Sequence, residues 1–212
     1  MKKYLIIGSL VLQLLFLIGC GTPDANNGNC YIHGTVNSRF EGKKIFLVPM
    51  NEPAVAAVVD SVVITDGKFE FESEPGKLKV IRIDYHFRTG VEDLLVVTEP
   101  GHVQVVIDSV SSGKGTPQND SLQAWKEYTL KHNKRLAPYR KRGREAEKMG
   151  DSLVVETMKA QIKSIEQEYK RYSRGMAAEF KEGPLHDFLM SRFPTSYKKR
   201  MPDGEIVTIE LD

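Results

Sequence analysis

The side chains able to do chemistry in this 212-residue chain are few and scattered. Five histidines stand at His33, His86, His102, His132 and His186. None has another histidine or a cysteine at the short spacings that bring ligands onto one metal ion. Each therefore reads as a surface or strand-edge residue. Gly113-Lys114-Gly115-Thr116 sets a lysine and a hydroxyl among glycines, as phosphate loops do. It lacks the earlier glycine of that pattern, and no buried strand runs directly into it. No Gly-x-Ser-x-Gly elbow occurs. Carboxylates are plentiful, but no local pair is set up as acid and base. The sequence thus offers no catalytic residue, no metal site and no cofactor site, and the expectation is a protein that is not an enzyme.

Two cysteines remain, Cys20 and Cys30. Cys20 closes a distinctive leader. Lys2 and Lys3 open it, a mostly apolar run from Leu5 to Ile18 comes next, and it ends in Leu17-Ile18-Gly19-Cys20. A bilayer core of about 30 Å needs about 20 apolar residues in a helix, so this run is short for a stable span. A charged start, a short apolar run and a small residue at the cut describe a secretory signal. The small residue just before a cysteine resembles the lipobox of bacterial lipoproteins. That resemblance implies cleavage after Gly19, lipidation of the Cys20 thiol and acylation of the new amino terminus, with the membrane as partner. Two or more acyl chains hold a protein firmly where one does so only marginally. An ordinary signal peptide or a short membrane anchor is the plainer alternative. Gly21 at the second mature position leans, by the same family's sorting rules, toward the outer membrane. Periplasmic and surface faces stay open.

With Cys20 lipidated, Cys30 has no partner in the chain for a disulfide. In Cys30-Tyr31-Ile32-His33-Gly34-Thr35-Val36, alternation puts Cys30, Ile32 and Val36 on one face of a strand. Cys30 reads there as a small buried hydrophobe, with a reactive thiol as the alternative.

The elements that would position these groups fall into two halves. Residues 20–29 carry nothing to bury and read as a tether. Residues 30–116 read as successive strands: Cys30–Val36, Lys44–Val48, Val58–Thr65, Lys68–Glu72, Leu78–Tyr85, Leu94–Glu99 and Val103–Asp108. Turn signals such as Asn51-Glu52-Pro53, Pro75-Gly76 and Pro100-Gly101 separate them. Asp66-Gly67 favours positive φ at both central turn positions and so predicts a two-residue hairpin. Phe69 and Phe71 alternate with Lys68, Glu70 and Glu72, rings inward and charges outward. Short strands without helices between them predict an antiparallel β-sandwich or open barrel, and the sandwich is the expectation taken.

Residues 117–193 change period. A helix runs from an N-cap at Asn119 to about Leu136, Pro138 interrupts it, and Gly143 weakens the segment after the proline. After Gly150, Asp151 caps a second long helix. Its Val155, Met158, Ile162, Ile165, Tyr169, Tyr172 and Met176 recur at spacings of 3 and 4, the seam of a helix packed on a helix. The simplest partner is the helix before it, which makes an antiparallel helical hairpin. A short helix then starts at Pro184. The tail, 194–212, carries one short alternating strand. The fold class is α+β.

Asp60-Ser61-Val62, Asp66-Gly67-Lys68-Phe69-Glu70-Phe71, Glu99-Pro100-Gly101 and Gly115-Thr116-Pro117-Gln118-Asn119 stand in one order. Together they resemble a domain of unknown function in bacterial envelope lipoproteins. In many of these it precedes a thioredoxin-like domain of the AhpC/TSA type, with a helical segment between. The resemblance covers about Cys30 to Phe193. The redox residues of that family are a Cys-x-x-Cys pair in the thioredoxin part, and this chain has no such pair. The expectation is that the thioredoxin-like domain is missing here.

Charge supplies the last signal. Residues 20–116 carry 9 basic and 13 acidic side chains, and residues 117–212 carry 19 and 15. Arg140-Lys141-Arg142-Gly143-Arg144 is the densest basic stretch. It suits anionic headgroups or an acidic partner, against the plain reading of a solvated helix face. Nucleic acid is not an expected partner for a chain exported to the envelope. The leading expectation is a lipid-anchored binding or scaffolding module in which Arg140, Lys141, Arg142 and Arg144 meet an envelope protein. The alternatives are a glycan or small-molecule binding lipoprotein and an accessory to envelope thiol-disulfide proteins.

Overall fold

The computed structural model describes residues 28–50, 59–83, 90–202 and 204–211. Strands β1 (Cys30–Val36), β2 (Lys44–Pro49), β3 (Asp60–Val63), β4 (Lys68–Ser73), β5 (Lys77–Ile83), β6 (Leu94–Thr98), β7 (Gly101–Ile107) and β8 (Ser112–Lys114) come first. They form two four-stranded sheets, ordered β4-β1-β7-β8 and β3-β2-β5-β6. Helices α1 (Pro117–Met149), α2 (Ser152–Glu179) and α3 (Pro184–Arg192) come next, and β9 (Ser196–Arg200) pairs with β10 (Ile206–Glu210). The class is α+β, sheets first and helices second, as the change of period predicts.

The inner faces of the two sheets share one core. Ile32, Phe69, Phe71, Val103 and Val105 of the first sheet meet Ile45, Leu47, Ile81 and Val96 of the second. Period-two alternation puts those residues inward. Gly34 fits here by close approach: a Cβ on it would lie 1.9 Å from the Phe69 ring, its cross-strand neighbour.

The second sheet is apolar on its outer face as well. Leu78, Leu95 and Val97 face a second cluster formed by Leu122, Met176, Ala177, Leu185, Phe188 and Leu189 of the helices. A strand buried on both faces reads as a continuous apolar run, which is what Leu94-Leu95-Val96-Val97 is. So the layers run sheet, sheet, helices, and the outer face of the first sheet is left to solvent.

Four expectations need correction. The sandwich is not wholly antiparallel, because β1 and β7 run parallel. The chain between them passes through the other sheet, a connection long enough to allow a parallel pair. The Asp66-Gly67 turn forms, with φ of 53° and 65° and a Thr65–Lys68 bridge, but its arms part. One arm enters each sheet, since β3 pairs with β2 and β4 with β1. The Glu41 carboxylate accepts both turn amides at 3.0 Å and fixes the corner. Pro138 does not break α1: Leu136 and Ala146 are buried on either side of it, while Pro138 and the carbonyl it deprives, on Lys134, face solvent. Finally, the tail holds two strands, not one. Ser-Tyr-Lys-Lys-Arg lacks the alternation that would have announced β9.

Asn51-Glu52-Pro53, Val58, Tyr85 and His86 lie outside the described residues, as do the leader, Cys20 and most of the tether. Among the described residues no helix is long and apolar enough to cross a membrane.

Candidate functional site

The first two turns of α1 are bolted to the sheets. Thr116 stands at the N-cap rather than Asn119. Asn119 is instead 2% exposed and acts sideways. Its Oδ1 accepts the Val97 N–H at 2.9 Å, and its Nδ2 donates to the Val97 carbonyl at 2.8 Å and to Thr116 Oγ1 at 2.8 Å. β6 is an edge strand, so this amide takes the place of a missing neighbour strand. The Gln118 amide donates to Glu99 at 2.9 Å, and the Gly113 amide to Gln123 at 3.3 Å. The Lys126 ammonium donates to the Glu92 carboxylate at 2.5 Å and to the Ser111 carbonyl.

Above that base the hairpin is an arm. At 1.5 Å per residue, 33 residues of α1 span about 50 Å, about twice the length of a seven-residue strand. Aromatic rings glue its lower half: Tyr128 stacks on Tyr172 at 3.9 Å and His132 on Tyr169 at 4.1 Å. Trp125 donates to Ser173 Oγ at 3.0 Å. Leu136, Ala146, Met158 and Ile165 are buried higher up and belong to neither sheet-based cluster, and among the described residues the packing of α1 on α2 accounts for their burial. The 3-4 seam thus has α1 as its partner, as its spacing predicts.

The basic stretch lies on this arm, and the structure divides it. Arg140 and Arg144 are one turn apart and rim a notch of about 170 Å³ with Glu147 and Lys159. Val155, Met158 and Ile162 form its apolar floor, and Gly143 lies over the floor, where a Cβ would stand 3.5 Å from Met158 Cβ. Arg140 also reaches Glu166 at 3.1 Å. Lys141 and Arg142 do not line the notch; Lys141 lies 3.9 Å from Glu145 on its own helix.

Three other groups could do chemistry. Cys30 is fully buried, and burial pushes its thiol above the usual range, so it is held as an unreactive thiol. Lys79 is buried at the end of the sandwich and donates to Ser73 Oγ at 2.9 Å, with Asp60 at 3.4 Å. Beside it opens a cleft of about 400 Å³ lined also by Pro49, Glu72, Glu74 and Lys77.

The third group is one the spacing of histidines in sequence missed. On the open face of the first sheet, His33 Nε2 lies 3.0 Å from His102 Nδ1, and His33 Nδ1 lies 3.1 Å from Glu70 Oε1. Tyr31 stacks on His102 at 5.2 Å. The two histidines are 69 residues apart, and only the parallel β1–β7 pair joins them. The other described histidines stay apart: His132 sits on the arm, and His186 Nδ1 is 2.9 Å from the Ala177 carbonyl. Gly113-Lys114-Gly115-Thr116 forms β8 and the entry to α1, with the Gly115 amide donating to Asp120, and not a phosphate cradle. Among the described residues no three His, Cys, Asp or Glu side chains converge as a metal site.

Residues 30–122 match the family model of a domain of unknown function, DUF4369. The match covers both sheets and runs through Asn119 and Leu122, the residues by which α1 is mounted. No curated protein and no solved structure gives a match.

Proposed function

We propose that this protein is a non-catalytic binding or scaffolding module of the bacterial envelope, held to the membrane through lipidated Cys20, with the outer membrane as its site. Its working part is the helical arm, and its partner is an envelope protein that presents an acidic segment with one apolar side chain. The notch on the arm carries this reading. An apolar floor of Val155, Met158 and Ile162 under the Arg140 and Arg144 guanidiniums suits a ligand that is apolar at its centre and anionic at its edge. The bolted base supports it too, since a rigid mount lowers the entropy lost when the arm is gripped.

The test is photo-crosslinking in intact cells from a reactive residue at Val155, with the captured protein read by mass spectrometry. One reproducible partner is expected. Arg140→Glu with Arg144→Glu should lose it, and Lys141→Glu with Arg142→Glu should keep it. Retention after all four reversals would sink the charge argument.

A second reading rests on the cleft beside Lys79. A buried ammonium next to a 400 Å³ opening suits a glycan or another small polar molecule. A thermal-shift screen of envelope glycans separates it from the first: stabilisation lost in Lys79→Met favours the cleft, and no stabilisation by any glycan removes it.

A further inference from the structure

The outer face of the first sheet holds a chain of three side chains, Glu70, His33 and His102. A carboxylate only accepts hydrogen bonds, so Glu70 places a proton on His33 Nδ1. In the neutral ring that leaves a lone pair on Nε2, aimed at His102 Nδ1. That lone pair accepts the His102 Nδ1–H, so the two ring nitrogens already stand side by side, 3.0 Å apart. Two bonds of about 2.1 Å meeting at a right angle put their nitrogens about 3.0 Å apart, which is the separation seen.

We propose that His33 and His102 together bind a divalent transition-metal ion. His33 ligates through Nε2. His102 ligates through Nδ1 after its proton passes through solvent to Nε2. Water completes the coordination, which the open face permits. Glu70 touches the far nitrogen of His33 and is the orienting residue: a carboxylate behind a ligating imidazole fixes its tautomer and its ring orientation. The strand positions of the three residues are held in advance, because β1 is paired on both sides, to β4 carrying Glu70 and to β7 carrying His102. Two neutral imidazoles without a thiolate suit copper(II), nickel(II) and zinc(II), and the general order of affinities puts copper(II) first.

Copper(II) titration of the full chain in detergent, read by calorimetry and electron paramagnetic resonance, tests this. The first equivalent should show hyperfine structure from two nitrogens. His33→Asn and His102→Gln should each remove one nitrogen, and the double variant should lose the site. Glu70→Gln, which keeps a hydrogen-bond acceptor and drops the charge, should weaken binding about tenfold with both nitrogens retained. A first equivalent that binds equally to wild type and the double variant overturns the proposal, because the ion then sits elsewhere. Circular dichroism of each variant confirms the fold, which these outward-facing residues do not support.

Discussion

Replacing Asn119 by alanine should cost the protein about 2–4 kcal/mol, because it strips three hydrogen bonds from a side chain that is almost wholly buried. Val97 is fully buried and Thr116 nearly so, and the backbone groups of Val97 have no second strand on that edge. Each bond contributes about 1 kcal/mol, and each polar group left stranded costs about 1–3 kcal/mol. The lower part of the range reflects a neighbouring cavity of about 150 Å³, which Asn119 lines and from which water can reach the stranded groups. The assay is urea unfolding monitored by the fluorescence of Trp125, the sole tryptophan, which packs at this junction. With a slope of about 2 kcal/mol per molar, the midpoint should fall by about 1–2 M. Asn119→Asp adds a sharper check. Its carboxylate still accepts from Val97 N–H but faces the Val97 carbonyl, so the fold favours the protonated acid. A raised carboxyl pKa stabilises below the unfolded value and the benefit is lost as pH rises through the folded one. Asn119→Asp should therefore be nearer to wild type at about pH 4 than at neutrality. A midpoint unchanged in Asn119→Ala would refute the view that this side chain joins helix to sheet.

Gly175 sits inside α2 with open space where a Cβ would go, so Gly175→Ala should raise stability by about 1 kcal/mol, read as a higher urea midpoint. Burial raises Cys30 above its ordinary value; stability should be intact below about pH 8.5 and fall as pH rises further, with a shallower fall in Cys30→Ala. Native Cys30 should also resist a thiol reagent until urea unfolds the chain. Desolvation against Tyr169 lowers His132, so its contribution should be present above about pH 6.5 and be lost on acidification, and His132→Phe should flatten that loss in thermal melts. Arg174 donates to the carbonyls of Phe193, Pro194 and Leu211; Arg174→Ala should speed amide exchange in β9 and β10 and leave the sheets protected.

Local features are the ones sequence could show. Phe69 and Phe71 face the core because alternation is a property of a few residues, and the α2 seam is legible because helix period needs no partner to be seen. Asn119 reads as a cap because an amide before an apolar run usually is one. Only the edge of β6, distant in sequence, turns it into a strand substitute. The Asp66-Gly67 turn was legible as a turn, whereas the parting of its arms depends on where β1 and β2 lie. Pro138 shows the same limit: packing of Leu136 and Ala146 outweighs one absent hydrogen bond on the wet side of the helix. The histidine pair is the extreme case, since two strands must run in parallel before His33 and His102 meet.

The two outer faces of the sandwich explain why the arm and the histidines do not share a surface. Leu78, Leu95 and Val97 make one face too apolar to leave in water, so the helices settle there and the arm grows from that side. Tyr31, His33, Glu70, Glu72, His102 and Gln104 make the other face polar enough to stay bare. The core of two sheets lies between the arm and that histidine face. Perturbations at the two places should therefore add independently. Arg140→Glu with Arg144→Glu should leave copper(II) binding unchanged, and His33→Asn with His102→Gln should leave the crosslinked partner in place. If the histidine variant also released the partner, the partner would have to span both faces, and the arm alone would no longer account for its capture.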